Sequence, residues 1–179
     1  MEGQQKIRYW CQDETRLGLK TISGRKLTLK GVKPIGMVGW QRKTFYLYGM
    51  VEPLSGDSFF WEFSHLDSLC FQEFLNGFSQ AYPDSLHLVQ MDQGSFHISN
   101  SLRWPDNIIP IFQPAASPEL NPIERLWEYI KYHLSWEYCT SLDELRYKVG
   151  QVLDSLSAEV IASICGWDYI VSALLSATS

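Results

Sequence analysis

The sequence predicts an α/β fold, a mixed five-stranded sheet flanked by helices, and three patterns predict it. Two runs rich in aromatic and β-branched residues, Thr44–Val51 and Ser58–Phe63, are joined by Pro53-Leu54-Ser55-Gly56-Asp57, which is a hairpin signal. Two further β-prone runs, from Ile7 to Asp13 and from Leu86 to Asp92, each end in an acid. Phe71, Phe74, Leu75, Phe78 and Tyr82 recur at i, i+3, i+4, i+7 and i+11, the stripe of an amphipathic helix lying between the hairpin and the second acidic run.

Taken in order, Ile7, Tyr9, Cys11 and Asp13 share one strand face, while Glu14 falls on the other. This first strand is expected to end at its acids and to form a three-strand meander with the hairpin. The helix opens at Asp67 or Ser68. The run to Asp92 is followed by the turn-like Gln93-Gly94-Ser95. Ile108-Ile109-Pro110-Ile111-Phe112 reads as a further strand, and its proline suits an edge.

Asn121 then serves as an N-cap, Pro122 fits the first helical position, and Glu124 falls at the third, where a carboxylate favours the positive helix end. Ile123, Leu126, Trp127, Ile130 and Leu134 form the buried stripe of this helix, with Glu124 on its flank. Ser141-Leu142-Asp143-Glu144 is a capping box for a further helix with Leu145, Val149, Val152 and Leu156 inward, packed on the sheet. The apolar tail from Ala158 to Ala173 reads as one more short helix or a pairing surface.

The chain of 179 residues, 45% hydrophobic and 14% aromatic, suits one domain spanning 1–179. No apolar run approaches the ~20 residues that span a bilayer, and no signal-peptide pattern opens the chain, so a soluble, cytoplasmic protein with no membrane partner is expected. Cys11, Cys70, Cys139 and Cys165 form no CxxC pair and read as reduced core residues. The net charge of −5 divides unevenly, +7 over residues 1–50 and −12 over residues 51–179. The basic segment with Lys20, Arg25, Lys26, Lys30 and Lys33, continued by Arg42 and Lys43, suits contact with phosphates, against the commoner reading of a solvated hairpin.

Asp13 and Asp92 both sit where ligands of open α/β sheets gather, and Glu124 is held at a helix start. Three carboxylates converging on one point repel unless cations compensate. Hard divalent ions with oxygen ligands are the natural compensation, and a pair of them ~3.5–4 Å apart can clamp an in-line phosphoryl displacement.

The segments QDETRLGL (residues 12–19), MDQGSFH (residues 91–97) and SPELNPIERLW (residues 117–127) resemble the three signature blocks of DDE-type transposases of the mariner-like superfamily, above all the bacterial insertion sequence 630 group. The likeness continues through YGMVEPLSGDSFFWE. It implies an RNase H-like fold, with Asp13, Asp92 and Glu124 as catalytic triad holding two Mg²⁺ ions, replaceable by Mn²⁺. It also implies DNA as partner, both transposon ends and target, a homo-oligomer in the active complex, and strand cleavage followed by strand transfer. His97, in a pattern the family shares, is expected to reach a phosphate or orient a carboxylate, or else to be a satisfied core histidine, and Asn121 to stand behind the triad. Gln93 replaces the Asn of many relatives, Ala115-Ala116 replaces a common Pro-Tyr pair, and the stretch from Asp92 to Glu124 is a few residues shorter than usual. The helix-turn-helix modules that usually precede such domains are expected to be absent, as in a truncated copy, a fragment, or the second reading frame of an element whose upstream frame encodes them.

Rival readings are another RNase H-like nuclease and a non-enzymatic truncated remnant. The sequence carries no HExxH, GxSxG or P-loop motif, which disfavours zinc, serine-nucleophile and nucleotide-hydrolysing chemistries. Trp104 and Trp127 read as core packing ahead of base stacking.

Overall fold

The computed structural model describes residues 6–22, 30, 36–37, 39 and 41–177. Its strands are β1 (Lys6–Gly18), β2 (Thr44–Val51), β3 (Ser58–Phe63), β4 (Ser85–Met91) and β5 (Ile108–Phe112). Its helices are α1 (Ser68–Ala81), α2 (Ile123–His133), α3 (Leu142–Asp154), α4 (Ala158–Cys165) and α5 (Asp168–Ala177). The five strands form one sheet in the order β3-β2-β1-β4-β5. β3, β2 and β1 are antiparallel neighbours, whereas β4 and β5 run parallel to β1. This is the expected mixed sheet, with the proline-bearing β5 at its edge.

β1 is longer than the sequence reading allowed. It does not stop at Asp13 but continues to Gly18, because two different ladders hold its two halves. The parallel ladder with β4 ends at Cys11↔Gln90, while the antiparallel ladder with β2 runs from Cys11↔Val51 to Gly18↔Thr44. The inward alternation of Tyr9, Cys11 and Asp13 goes on through the buried Thr15 and Leu17, a continuation the acids obscured.

Alternation along β1 feeds two cores. Cys11 and Leu17 pack with Ile123, Leu126, Trp127 and Ile130 of α2, and with Leu145, Val149, Ile161 and Cys165 of α3 and α4. Trp10 faces the other way, into Tyr48, Met50, Val89, Met91 and the α1 side chains Phe71, Phe74, Leu75 and Phe78. Burying each of those four is worth about 1.5–3 kcal/mol. The Asp67 cap, whose carboxylate accepts from the Cys70 N–H at 2.8 Å, adds about 1 kcal/mol. Packing therefore decides where α1 sits, and the cap decides where it starts.

α2 lies on β1 and β2, and α3 and α4 pack against α2. α3 begins at the expected cap, Ser141 accepting from the Glu144 N–H at 3.2 Å. The tail departs from expectation by forming two helices, α4 and α5, bent by 99° at Gly166-Trp167. The Gly166 N–H bonds back to the Ala162 carbonyl at 2.7 Å and closes α4. Among the described residues no single helix is long and apolar enough to cross a membrane. The four cysteines are free, three of them buried.

The β2–β3 turn is tied down by charge. Arg8 and Glu52 are both buried, and the Arg8 guanidinium donates from Nε at 3.1 Å and from Nη2 at 2.5 Å to Glu52, and also to Asp57. Gly56 takes φ +76° inside that turn, and a Cβ there would fall 1.8 Å from the Ala158 carbonyl oxygen of α4. Removing one partner of a buried ion pair leaves the other charged and unsatisfied, at a cost of about 3–5 kcal/mol. Arg8→Met is therefore expected to lower unfolding free energy by that amount in urea titration, and a loss below about 1 kcal/mol would contradict this role.

Candidate active site

The β1/β4 register places the two aspartates at the same end of the sheet. Their ladder stops at Cys11 paired with Gln90, two residues before each aspartate, and β4 itself ends at Met91. Both acids thus stand at the fork where β1 loses its parallel partner and keeps only β2.

The helix carrying Glu124 is strapped to the same spot. Asn121 is 2% exposed, and its Nδ2 donates to the backbone carbonyl of Gln12 at 2.8 Å, one residue before Asp13. Its Oδ1 accepts from the Ile123 N–H at 3.4 Å. The expected helix start is displaced by one residue: α2 begins at Ile123, Pro122 occupies the cap position with helical dihedrals, and Asn121 keeps extended backbone after a 3-10 turn at Pro118–Leu120. The displacement follows from Asn121 serving β1 and the helix at once. Glu124 stays in the first turn of α2, as expected.

Each acid is then held by a different partner. Asp13 Oδ2 accepts from the Trp127 indole N–H at 2.8 Å, and Glu124 lies near enough for its charge to act on the Asp13 carboxyl. Asp92 lies about half exposed and is gripped through Oδ1 alone, by the Gly94 N–H at 2.8 Å and His97 Nδ1 at 2.6 Å. His97 is 1% exposed, and its Nε2 meets Glu14 Oε1 at 3.0 Å. The ring rests against Phe71 of α1 and against Phe96.

Charge explains the protonation of these groups. Burial, with the adjacent Glu14 and Glu124 charges, pushes the Asp13 carboxyl up to about 8 in spite of the Trp127 hydrogen bond. Asp13 as a residue is only half-buried, but its carboxyl group is enclosed. Burial also raises Glu124, with Glu128 and Asp92 adding to the rise while Lys131 opposes it. Two carboxyl groups so placed share a proton unless a cation joins them. Burial would push His97 down, yet its bonds to Asp92 and Glu14 outweigh this and carry it to about 9. The His97 bond in turn holds Asp92 below the usual carboxylate range.

The expected convergence of three carboxylates is met for two of them. Asp13 and Glu124 lie near each other, while Asp92 feels the charge of Glu124 but is turned to His97. Among the described residues no three acidic, His or Cys side chains stand close enough to hold one metal ion. The reason is mutual repulsion, which turns Asp13 to an indole N–H and Asp92 to an imidazole. The donor set still fits a hard cation: every donor is a carboxylate oxygen, and the raised Asp13 and Glu124 mark unmet positive charge.

Of the expected phosphate contacts, Lys20 and Lys30 are exposed, as are Arg42 and Lys43, while Arg25, Lys26 and Lys33 lie outside the described residues. Sequence reasoning missed Trp127 as a donor to Asp13, and it gave Glu14 a hydrogen-bonding or buried-pair role without His97 as the partner. A buried indole usually finds a partner for its N–H, so the first was signalled by the placement of Trp127 in the core stripe. Gly49 was missed as well. It pairs with Asp13 across the β1–β2 ladder, and a Cβ there would lie 2.6 Å from the Trp127 ring.

The sequence model of the DDE superfamily endonucleases matches residues 8–146, a span that contains Asp13, Asp92 and Glu124. The chain belongs to that family. A curated relative, the uncharacterized protein y4pE/y4sA of Sinorhizobium fredii (strain NBRC 101917 / NGR234), is 34% identical over 87 residues, which is 48% of this chain and 64% of the relative. The Mos1 transposase paired-end complex with the left transposon end has a TM-score of 0.69 at 14% identity, over 88% of this chain and 51% of that one. The Mos1 strand transfer complex gives 0.67 at 15% identity, over 88% and 50%. This DDE endonuclease domain therefore has the RNase H-like fold of the Mos1 transposase, and it spans about half the length of those chains.

Two outcomes test the site. Without divalent ions, a carboxyl raised to about 8 in the folded state contributes stability below its unfolded pKa and loses it as pH rises towards 8. His97, raised to about 9, loses its contribution in the same direction above its unfolded pKa. In chelator, stability is expected to fall from pH 5 to pH 9, and Asp13→Asn to raise the midpoint at pH 8 by at least about 2 °C, roughly 1 kcal/mol for a chain of this size. An unchanged pH profile in that variant counts against the enclosed carboxyl. Gly49→Ala is expected to displace Trp127 and make its indole N–H exchange faster with solvent, read by NMR; unchanged exchange would contradict the contact.

Proposed function

We propose that this domain carries out metal-dependent DNA strand cleavage and strand transfer in cut-and-paste transposition, as a relative of the bacterial insertion sequence 630 group. One observation carries the reading: in a chain of the DDE endonuclease family, Asp13 and Glu124 hold their carboxyls above the usual range at one spot, and Asp92, just past the end of β4, adds its charge to Glu124.

In this reading the three acids hold two Mg²⁺ ions, with Mn²⁺ able to substitute. Bound there, such ions activate the attacking oxygen and stabilise the leaving oxygen of a phosphodiester. The chain's own residues do the rest. Trp127 orients Asp13 through Oδ2, Asn121 holds the start of α2 so that Glu124 meets Asp13, and His97 with Gly94 fixes Asp92 through Oδ1. The exposed Lys20, Lys30, Arg42 and Lys43, with Arg25, Lys26 and Lys33, supply phosphate contacts that weaken with salt. Solved Mos1 complexes with Mg and with Mn, and with transposon-end DNA, support both parts of this proposal by likeness of fold. More than one copy of the domain acts in the complex, on bacterial chromosomal DNA in the cytoplasm.

Asp92→Ala and Glu124→Ala proteins are expected to lose Mg²⁺-dependent nicking of a labelled duplex by at least about 10³-fold with unchanged far-UV circular dichroism. Near wild-type cleavage by either protein overturns the assignment. Strand-transfer products with a pre-cut end separate a transposase from a plain nuclease.

A further inference from the structure

Glu14 belongs to neither the metal-ligand set nor the core, yet it is placed with care. Its side chain is only 6% exposed. It projects from the β1 face opposite Asp13, towards α1, and its Oε1 accepts from Gln12 Nε2 at 2.7 Å as well as meeting His97 Nε2 at 3.0 Å. His97 is thereby held at both ring nitrogens by carboxylates. A carboxylate only accepts, so the ring donates in both directions. The chain Glu14–His97–Asp92 links the middle of β1 to the end of β4 through one buried ring wedged against Phe71 and Phe96.

The geometry at Asp92 gives this chain a purpose. Both donors on Asp92, the Gly94 N–H and His97 Nδ1, take Oδ1, and among the described residues no donor reaches Oδ2. Gly94 sits so tightly that a Cβ would be 3.1 Å from both Asp92 Oδ1 and His97 Nδ1. One oxygen is clamped and the other is left to a ligand. Without Glu14 the His97 ring would be hydrogen-bonded at one nitrogen only, and its hold on Oδ1 would weaken.

We propose that Glu14 is a positioning residue for Asp92, acting through His97 to hold Oδ1 and so present Oδ2 to a divalent cation. The inference rests on reading Asp92 as a metal ligand. Groups behind a ligand commonly change metal affinity 10–100-fold when altered, by setting the orientation of the ligand that touches the ion.

The test is a double-mutant cycle on the full chain, with free Mn²⁺ counted by electron paramagnetic resonance, independent of DNA cleavage. Glu14→Gln is expected to weaken Mn²⁺ binding about 10-fold, with an unchanged melting profile guarding against misfolding. Asp92→Asn should weaken it too, and Glu14→Gln added to Asp92→Asn should do nothing further. An equal loss in both backgrounds would overturn the inference, since Glu14 would then be a ligand in its own right or a distant charge. Unchanged binding in the Glu14→Gln single variant would overturn it as well. Identical binding by wild type and Asp92→Asn would instead remove the metal-ligand reading of Asp92, and this inference with it. A second readout is the pair of downfield ring N–H proton signals of His97, of which the Nε2 signal should vanish in Glu14→Ala; its persistence counts against the Glu14 contact.

Discussion

Carboxyl groups gathered where water is scarce set the terms for everything around them. An isolated carboxylate drawn into an apolar surround prefers to become neutral, and a second one beside it deepens that preference. Asp13 and Glu124 are in this position at the head of α2, and among the described residues no lysine or arginine inside the cluster relieves it. Lys131, one of the opposing charges on Glu124, sits two turns further along the helix. The nearest relief comes from neutral donors, and these are also the groups that decide orientation. The site is therefore costly to the fold and specific in its geometry for the same reason.

That cost is met by two cores that are largely apolar. On one side of the sheet, α2 with α3 and α4 seals the apolar surface beneath Asp13; on the other, the aromatic face of α1 backs His97. Both walls meet at β1, whose odd residues serve one and whose even residues serve the other. A strand with one solvated face could not have carried Asp13 and Glu14 to different partners. The alternation that builds the layers is thus also what separates the acid facing α2 from the acid that braces the histidine.

Elements written in local pattern were legible in the sequence. The hairpin of β2 and β3, the Phe71-to-Phe78 stripe of α1 with its Asp67 cap, the edge strand at Pro110 and the Ser141 cap all follow from neighbours a few residues apart. β1 was read short because its second half is held by a ladder to a strand some thirty residues away, and two acids in a row look like an ending. The tail reads only as one short helix or a pairing surface, because the backbone bond by which Gly166 closes α4 is not revealed by composition. At the site, the identities of Asp13, Asp92 and Glu124 were readable from their placement and from family likeness. Their partners were not, since the Trp127, His97 and Glu14 bonds join residues from 5 to 114 positions apart.

The Asn121 strap bears on how much of this chain is free to vary. Because its side chain grips the Gln12 carbonyl, the place of Glu124 is measured from β1 and not along the chain from Asp92. The stretch from β5 to Asn121 is held at its near end as well, where Gln113 is bonded to Met91, Gln90 and Gln93. Between these two anchors lie the exposed Pro114, Ala115 and Ala116. A change in the length of that short span would leave the carboxylate where β1 sets it.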